Sequence, residues 1–263
     1  MSTEKKRKNG KAIGGAYERY VAKKLSDELE SDLVDITTLI SNNVITIPDA
    51  CVGLVFPLYA FGIPEIIERF LIKLNLTNSN VYFFAIITCG GSGYGIVKQQ
   101  LDNILSTKNF KLSYTAFQNM PSNYIKLFKP PTAAQAQKNI ANQEPHLKQI
   151  VLDVKKQVRS QISNSPLSFI YSFFYKNWRH NLKNSHQNFF VHSSCTGCGL
   201  CVKLCPEKNI SLKNNLPHWQ IQCQDCLACI NLCPEQAIQS NYLTKIYGRY
   251  RNPFISINQL IKN

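Results

Sequence analysis

The sequence predicts an α/β protein, in which an open parallel sheet is followed by helices and by a small cysteine-rich α+β domain. Three observations predict this fold. Two continuous apolar runs, residues 51–56 and 81–87, are typical of strands buried on both faces of a parallel sheet. A turn and a stretch with helical spacing of apolar residues follow each run. Near the end of the chain, one cysteine pattern occurs twice.

The elements of the first domain, predicted at residues 1–130, follow from the spacing of apolar side chains. Val21, Leu25 and Leu29 lie four residues apart and predict a helix between residues 17 and 30. The final strand of this domain alternates in polarity and is expected near the sheet edge. In order, the elements after the first helix are predicted as a strand at 33–39, a strand at 51–56, a helix at 64–74, a strand at 81–87, a helix at 96–105 and a strand at 112–117.

The strand expected before the first helix conflicts with this scheme. Residues 5–11 read KKRKNGK, and such charges would lose their hydration inside a parallel sheet. We therefore expect that this segment does not form the interior first strand. Either the N-terminus is abnormal, with a shifted start or reading frame, or the sheet is rearranged. The intact first helix favours a fault confined to residues 1–12.

A connector is predicted at residues 131–184. Helical spacing is present at 133–143 and 146–163, and Pro145 is expected to break or kink the helix between them. An aromatic cluster at 169–178 follows. We interpret it as a packing surface between two domains, because large apolar patches on soluble proteins mark interfaces. The adjoining basic residues leave a membrane-surface interpretation open.

Two cysteine repeats dominate the domain predicted at residues 185–245, ahead of a basic tail at 246–263. Both have the spacing C-x2-C-x2-C-x3-C-P, in which three cysteines serve one four-iron cluster and the fourth ligates the other. The repeats resemble bacterial-type two-cluster ferredoxins. The expected ligands are Cys195, Cys198, Cys201 and Cys233 for cluster I, and Cys223, Cys226, Cys229 and Cys205 for cluster II.

Other uses of these cysteines fit the sequence less well. A zinc ribbon needs neither a third cysteine two residues on nor a closing Cys-Pro. Disulfides need an oxidising compartment, and no apolar signal region follows the basic N-terminus. The longest apolar run, residues 51–63, is too short for a transmembrane segment and is interrupted by Pro57. We expect a cytoplasmic protein in a reducing, low-oxygen setting, with Cys51 and Cys89 as core thiols.

Two loops of the first domain stand where open α/β sheets bind ligands, at the carboxyl ends of strands. They are residues 57–62 and the glycine-rich residues 88–95. The arrangement resembles flavodoxin-like domains fused ahead of a two-cluster ferredoxin, an electron-transfer family of anaerobes. The segments that carry the resemblance are residues 55–64, 88–92 and 120–125, both cysteine motifs and residues 248–250.

The resemblance implies FMN between the two loops. The positions implied to bind it are Gly14, Gly15, Ala16, Pro57, Tyr59, Ala60, Phe61, Gly62, Thr88, Cys89, Gly90 and Gly91. The chain departs from the family at the phosphate loop, because no hydroxyl side chain lies between residues 4 and 16. Only backbone N–H groups at the helix N-terminus remain there to meet a phosphate.

These features predict an electron-transfer protein in which FMN exchanges electrons with two [4Fe-4S] clusters. Two alternatives stay open: a ferredoxin whose first domain is a cofactor-free docking scaffold, and a flavin-dependent reductase of unknown substrate. The sequence offers no acid–base pair or nucleophile, so no catalytic residue is predicted. The net charge of +14 is suited to an acidic redox partner, and no nucleic-acid motif accompanies it.

Overall fold

The structure, a computed structural model, describes residues 8–12, 16–91 and 95–261 of the chain. The chain divides into two compact units. The first unit lies within residues 1–119 and 143–172, and the second within 120–142 and 173–263. The connector predicted at 131–184 is thus shared between the units. The domain limits drawn from the sequence remain a prediction.

The first unit has a βα order that follows the predicted one. Its elements are β1 (Lys8–Ala12), α1 (Ala16–Glu28), β2 (Ser31–Asp35), β3 (Ile45–Ile47), β4 (Cys51–Pro57), α2 (Glu65–Lys73), β5 (Leu74–Leu76), β6 (Tyr82–Cys89), α3 (Val97–Ser106) and β7 (Tyr114–Asn119). The short parallel pair β3–β5 is an addition that the sequence analysis missed.

Five of these strands form one parallel sheet in the order β2-β1-β4-β6-β7. Counted along the sheet strands alone, this is the order 2-1-3-4-5 of flavodoxin-like folds. The predicted fold class is confirmed, and β7 lies at the sheet edge as expected. Because all strands are parallel, the carboxyl ends of β1, β4 and β6 meet at one edge of the sheet.

The expectation that residues 5–11 cannot form the interior first strand is wrong for residues 8–11. Strand β1 pairs with β2 on one side and with β4 on the other, with Gly10 opposite Leu33 and Gly53. The ladder is built from backbone N–H and C=O groups, which every one of these residues supplies. Because β1 pairs on both sides, the backbone groups of β2 and β4 that face it are hydrogen-bonded. Backbone pairing therefore places this segment in the sheet in spite of its charged side chains.

Strands β4 and β6 form the centre of the core. All eight residues of β6 are buried, because helices on both faces of a parallel sheet leave its middle strands no solvent. Gly53 of β4 lies under the ring of Phe84 in the register β4–β6. Helix α2 adds its apolar stripe, namely Ile66, Ile67, Phe70 and Leu71.

The connector helices differ from prediction. Helix α4 (Ala133–Lys155) runs through Pro145 without a break, and it ends before the predicted residue 163. Proline removes one i→i−4 hydrogen bond, and Ala141, whose carbonyl loses it, is exposed to water. The chain after α4 runs instead along β7, where Thr115 N–H donates to Ser160 O at 2.9 Å.

The aromatic cluster belongs to helix α5 (Ser168–Ser185). Phe169, Phe173 and Phe174 are exposed by 73%, 70% and 52%, whereas Tyr175 is buried. Within the described residues, no helix combines the length and apolarity needed to cross a membrane.

The remaining elements of the second unit are small. They are β8 (Phe190–Val191), α6 (Leu200–Leu204), β9 (Ile210–Lys213), β10 (Leu216–Trp219), α7 (Ala228–Asn231), β11 (Ile238–Gln239) and α8 (Tyr242–Ile246). Strand β8 pairs antiparallel with β11, and β9 with β10. Asn214 and Asn215 turn the β9–β10 hairpin with φ of 50° and 61°, the left-handed values that two-residue hairpins require.

Candidate functional site

The two cysteine loops share one backbone conformation. In the first loop, Gly197 and Gly199 have φ of 68° and 72°. In the second loop, the matching positions are Asp225 and Leu227, with φ of 52° and 57°. Left-handed values are unusual for residues other than glycine. The two loops therefore have the same backbone turn. Helix α6 begins after the first loop and helix α7 after the second.

In the first loop, Cys201 lies close to another cysteine of its own repeat and to one of the second repeat. Burial, and to a smaller extent the nearby Cys198 and Cys233, raise the pKa of the Cys201 thiol to about 11. Cys198 is exposed, and Cys195 and Cys233 are half-buried. Cys233 comes from the second repeat, and the assignment of cysteines to clusters remains a prediction.

The second loop surrounds a small cavity that is partly open to solvent. Its lining includes the complete predicted second set, namely Cys205, Cys223, Cys226 and Cys229. Cys205, from the first repeat, lies close enough to raise the pKa of Cys226 and of Cys229, after burial as the larger cause. Phe189, Ile210 and Leu227 close much of the remaining wall.

These residues fit an iron–sulfur cluster in their donors and in their surroundings. Asn209 N–H lies 3.3 Å from the Cys205 sulfur, and Asp225 N–H lies 3.4 Å from the Cys223 sulfur. Such N–H groups stabilise thiolates and cluster sulfurs. In the described part of the chain, no three metal-binding side chains are spaced for a single metal ion. A four-iron cluster holds its thiolates further apart than one ion does.

A segment of the chain upstream of α4 holds the second loop in place, which the sequence analysis did not foresee. Lys126 forms an ion pair with Asp225 at 2.8 Å, and these side chains are only 14% and 5% exposed. The Tyr124 hydroxyl donates to the same carboxylate at 2.6 Å. Burial first, and then the carboxylate, raise the pKa of Tyr124 far above its usual range. Ile125, between them, is fully buried.

Trp219 is a second contributor that the sequence analysis missed. It lines the cavity of the second loop, and its ring stacks on Phe189 with centroids 5.1 Å apart. It is 7% exposed, yet among the described residues no acceptor takes a hydrogen bond from its indole N–H. Trp219 and Cys229 belong to the same buried hydrophobic cluster. No spacing rule marks Trp219, because hairpin β9–β10 brings it to the site.

The basic tail packs on the second unit. Arg249 donates to the carbonyls of Thr244, Tyr247 and Ile238 and to the Gln239 side chain, at 2.7–3.2 Å. Tyr250 and Asn252 are buried. The tail therefore lies on the cysteine-rich unit.

In the first unit, the two predicted loops are neighbours at the carboxyl edge of the sheet. Leu58 N–H donates to Thr88 O at 2.8 Å, which joins the ends of β4 and β6. Residues 59–62 form a tight turn with Ala60 and Phe61 at φ of 44° and 73°. Phe61 is 40% exposed and stacks on Tyr171 of α5, with centroids 4.7 Å apart.

The predicted phosphate side of this edge is partly outside the described residues. Gly14 and Gly15 lie there, while Ala16 is the first residue of α1. In the first turn of α1, the buried Glu18 accepts a hydrogen bond from the Thr88 hydroxyl at 3.1 Å. A carboxylate at this place stabilises the helix N-terminus and repels a phosphate. The described residues therefore fit the ring of a flavin better than its phosphate.

The other positions predicted from the resemblance differ in their exposure to solvent. Gly90 and Gly91 are exposed, and a methyl group added at Gly91 would meet nothing within 4 Å. Pro57 and Gly62 are buried. The Cys89 thiol donates to Asn119 Oδ1 at 3.0 Å, and burial raises its pKa, as suits a core thiol. Cys51 is only half-buried, so the expectation of a buried thiol is wrong there.

Comparison with known proteins decides the class of the second unit. Residues 194–238 match the family model of the 4Fe-4S dicluster domain. The chain ends in a ferredoxin-like 4Fe-4S domain. The match spans both cysteine loops, the hairpin β9–β10 and the beginning of β11, and it points to electron transfer. A search among curated proteins found no match.

Solved structures resemble this chain only distantly. The Trp repressor binding protein of Bacillus subtilis is 12% identical with a TM-score of 0.38, over 59% of this chain and 100% of that one. An azoreductase of Bacillus anthracis is 8% identical with a TM-score of 0.38, over 55% and 98%. Neither likeness bears on activity, and the fold class rests on the strand order.

Proposed function

We propose that the chain is an electron-transfer protein with two [4Fe-4S] clusters in its second unit. The cavity lined by Cys205 together with three cysteines of the other repeat carries this proposal. Cluster II has these four ligands, and cluster I has Cys195, Cys198, Cys201 and Cys233. When bound, such clusters supply one-electron transfer at a potential that the protein sets.

The side chains around the second cavity have three tasks in this function. Phe189, Ile210 and Leu227 exclude water from the sulfurs. The backbone N–H groups of Asn209 and Asp225 stabilise the thiolate charge of Cys205 and Cys223. The ion pair of Lys126 with Asp225 keeps the loop in its left-handed conformation, so that its cysteines stay aimed at one volume.

FMN in the first unit is the second component of the proposal. The joined loops 57–62 and 88–91 at the carboxyl edge support it, because open parallel sheets bind ligands there. Phe61 at this edge is a partly exposed ring that also stacks on Tyr171. A bound flavin takes up two electrons, which the clusters pass on singly. With both cofactors, the chain would belong to the flavodoxin–ferredoxin fusions that its sequence resembles.

A second candidate is a ferredoxin whose first unit is a docking scaffold without a cofactor. Glu18 favours this candidate, because its buried carboxylate lies in the first turn of the helix where the FMN phosphate would bind. Both candidates share the clusters and the electron-transfer role. In both, the net charge of +14 favours an acidic redox protein as the partner.

The cofactor content of anaerobically purified protein tests the proposal. We expect about eight iron atoms and eight inorganic sulfides per chain, since two four-iron clusters contain that number. Four iron atoms, or stoichiometric zinc, would contradict the cluster assignment. One FMN released per chain on denaturation would exclude the scaffold candidate, and a protein with full iron but no FMN would support it.

A further inference from the structure

The indole N–H of Trp219 is a buried hydrogen-bond donor in the second unit. Trp219 ends strand β10, where it pairs with Ile210 of β9, and it is buried to more than nine-tenths. A buried N–H group without an acceptor is destabilising, and folded proteins rarely keep one without a reason. No acceptor among the described residues takes a hydrogen bond from this N–H.

The location of the indole indicates what completes its hydrogen bonding. Trp219 lines the same cavity as Cys205, Cys223, Cys226 and Cys229. Stacking on Phe189, with the two ring planes within 13°, fixes the orientation of the indole. Cys229 belongs to the same buried hydrophobic cluster as Trp219 and Phe189. An electron-rich sulfur in the cavity would therefore receive the N–H.

We propose that Trp219 donates its indole N–H to a sulfur of cluster II, at the Cys229 corner, and thereby raises the reduction potential of that cluster. The proposal rests on the proposed function, since it needs a cluster in the cavity. Reduction adds negative charge to the cluster, so a hydrogen-bond donor to sulfur stabilises the reduced state more than the oxidised one. Trp219 acts in this way as a tuning residue and not as a ligand.

The test is a redox titration of Trp219→Phe, which keeps an aromatic ring and removes the N–H. The protein is loaded with iron and sulfide, and each cluster is followed by electron paramagnetic resonance. We expect the potential of one cluster to become more negative, with the other cluster and the iron content unchanged. Trp178→Phe, at the other of the two tryptophans, is the matched control and should change neither potential.

Two results would overturn the proposal: unchanged potentials of both clusters in Trp219→Phe, or an equal shift of both, which indicates a general structural effect. If this variant loses iron, benzothienylalanine at position 219 in the Trp178→Phe background decides instead, because it keeps the indole shape without the N–H. A wild-type protein that binds no cluster would refute the proposed function itself. A wild-type protein with eight irons and an unshifted variant would refute only the role of Trp219.

Discussion

At the scale of single residues, the two cysteine loops reach the same left-handed backbone conformation with different residues. The first loop places glycine at both left-handed positions, Gly197 and Gly199, where glycine carries no steric penalty. The second loop places Asp225 and Leu227 there, at a cost on the order of 1–3 kcal/mol each. Such strain persists only where the surroundings hold the backbone, and the contacts of Asp225 with Tyr124 and Lys126 do so.

This ion pair leads to the first prediction. Lys126→Met should lower the free energy of unfolding by about 3–5 kcal/mol, because it leaves the carboxylate of Asp225 buried without its cation. The midpoint of urea denaturation under anaerobic conditions measures the change. Lys23→Met is the control, since its ion pair with Asp27 is exposed on both sides, and little change is expected. Equal midpoints for the two variants would mean that the pair does not hold the loop.

The second prediction concerns Glu18. Glu18→Gln keeps an acceptor for the Thr88 hydroxyl and removes a charge beside the predicted phosphate position. FMN affinity should then rise on the order of tenfold, as expected for one nearby charge in a partly screened site. Quenching of flavin fluorescence measures the dissociation constant. Glu30→Gln removes the same charge from an exposed position and should leave the affinity unaltered. A weaker affinity in Glu18→Gln would show that Glu18 does not oppose FMN.

At the scale of secondary-structure elements, the apolar pattern predicted the two buried strands β4 and β6 correctly. The side-chain pattern failed for the charged strand β1. Residues 51–56 and 81–87 became β4 and β6, because apolar side chains suit positions covered on both faces. Strand β1 carries lysines and pairs on both sides all the same. The side-chain pattern could not predict the position of β1, since β1 is held by hydrogen bonds to the backbones of β2 and β4.

A close contact between β4 and β6 gives the third prediction. A methyl group built at Gly53 would approach the Phe84 ring to 2.2 Å, which the packed sheet cannot accept without movement. Gly53→Ala should destabilise the protein by about 1–3 kcal/mol through overpacking. Gly248→Ala is the control, because its added methyl group meets nothing within 4 Å. Thermal or urea denaturation compares them, and equal stability of the two variants would contradict the packing argument.

At the scale of the whole molecule, the two units depend on different sources of stability. The core of the first unit consists of aliphatic and aromatic side chains such as Phe56, Phe70 and Phe83. The buried cluster of the second unit contains one predicted cluster ligand, Cys229, and four more pack against it, namely Cys201, Cys205, Cys223 and Cys233. Where ligands form the core, cofactor binding contributes directly to folding.

Removal of the clusters should therefore unfold one unit and spare the other, which is the fourth prediction. Acid treatment with a chelator, followed by return to neutral pH, should abolish amide hydrogen-exchange protection in β8 to β11. Protection in β4 and β6 should remain, because these strands contain no predicted ligand of the iron–sulfur clusters. Loss of protection in all of these strands, or in none of them, would contradict the prediction that only the second unit depends on the clusters.

The sequence by itself determined the 4Fe-4S dicluster domain, because the spacing of cysteines along the chain does not depend on how the chain packs. It also determined the parallel sheet, since buried strands need apolar side chains. Only the tertiary structure decided what surrounds the predicted ligands. Lys126 lies 99 positions from Asp225, and Trp219 reaches the cavity through a hairpin turn. Contacts between distant positions depend on the folded backbone, so no local pattern of residues encodes them.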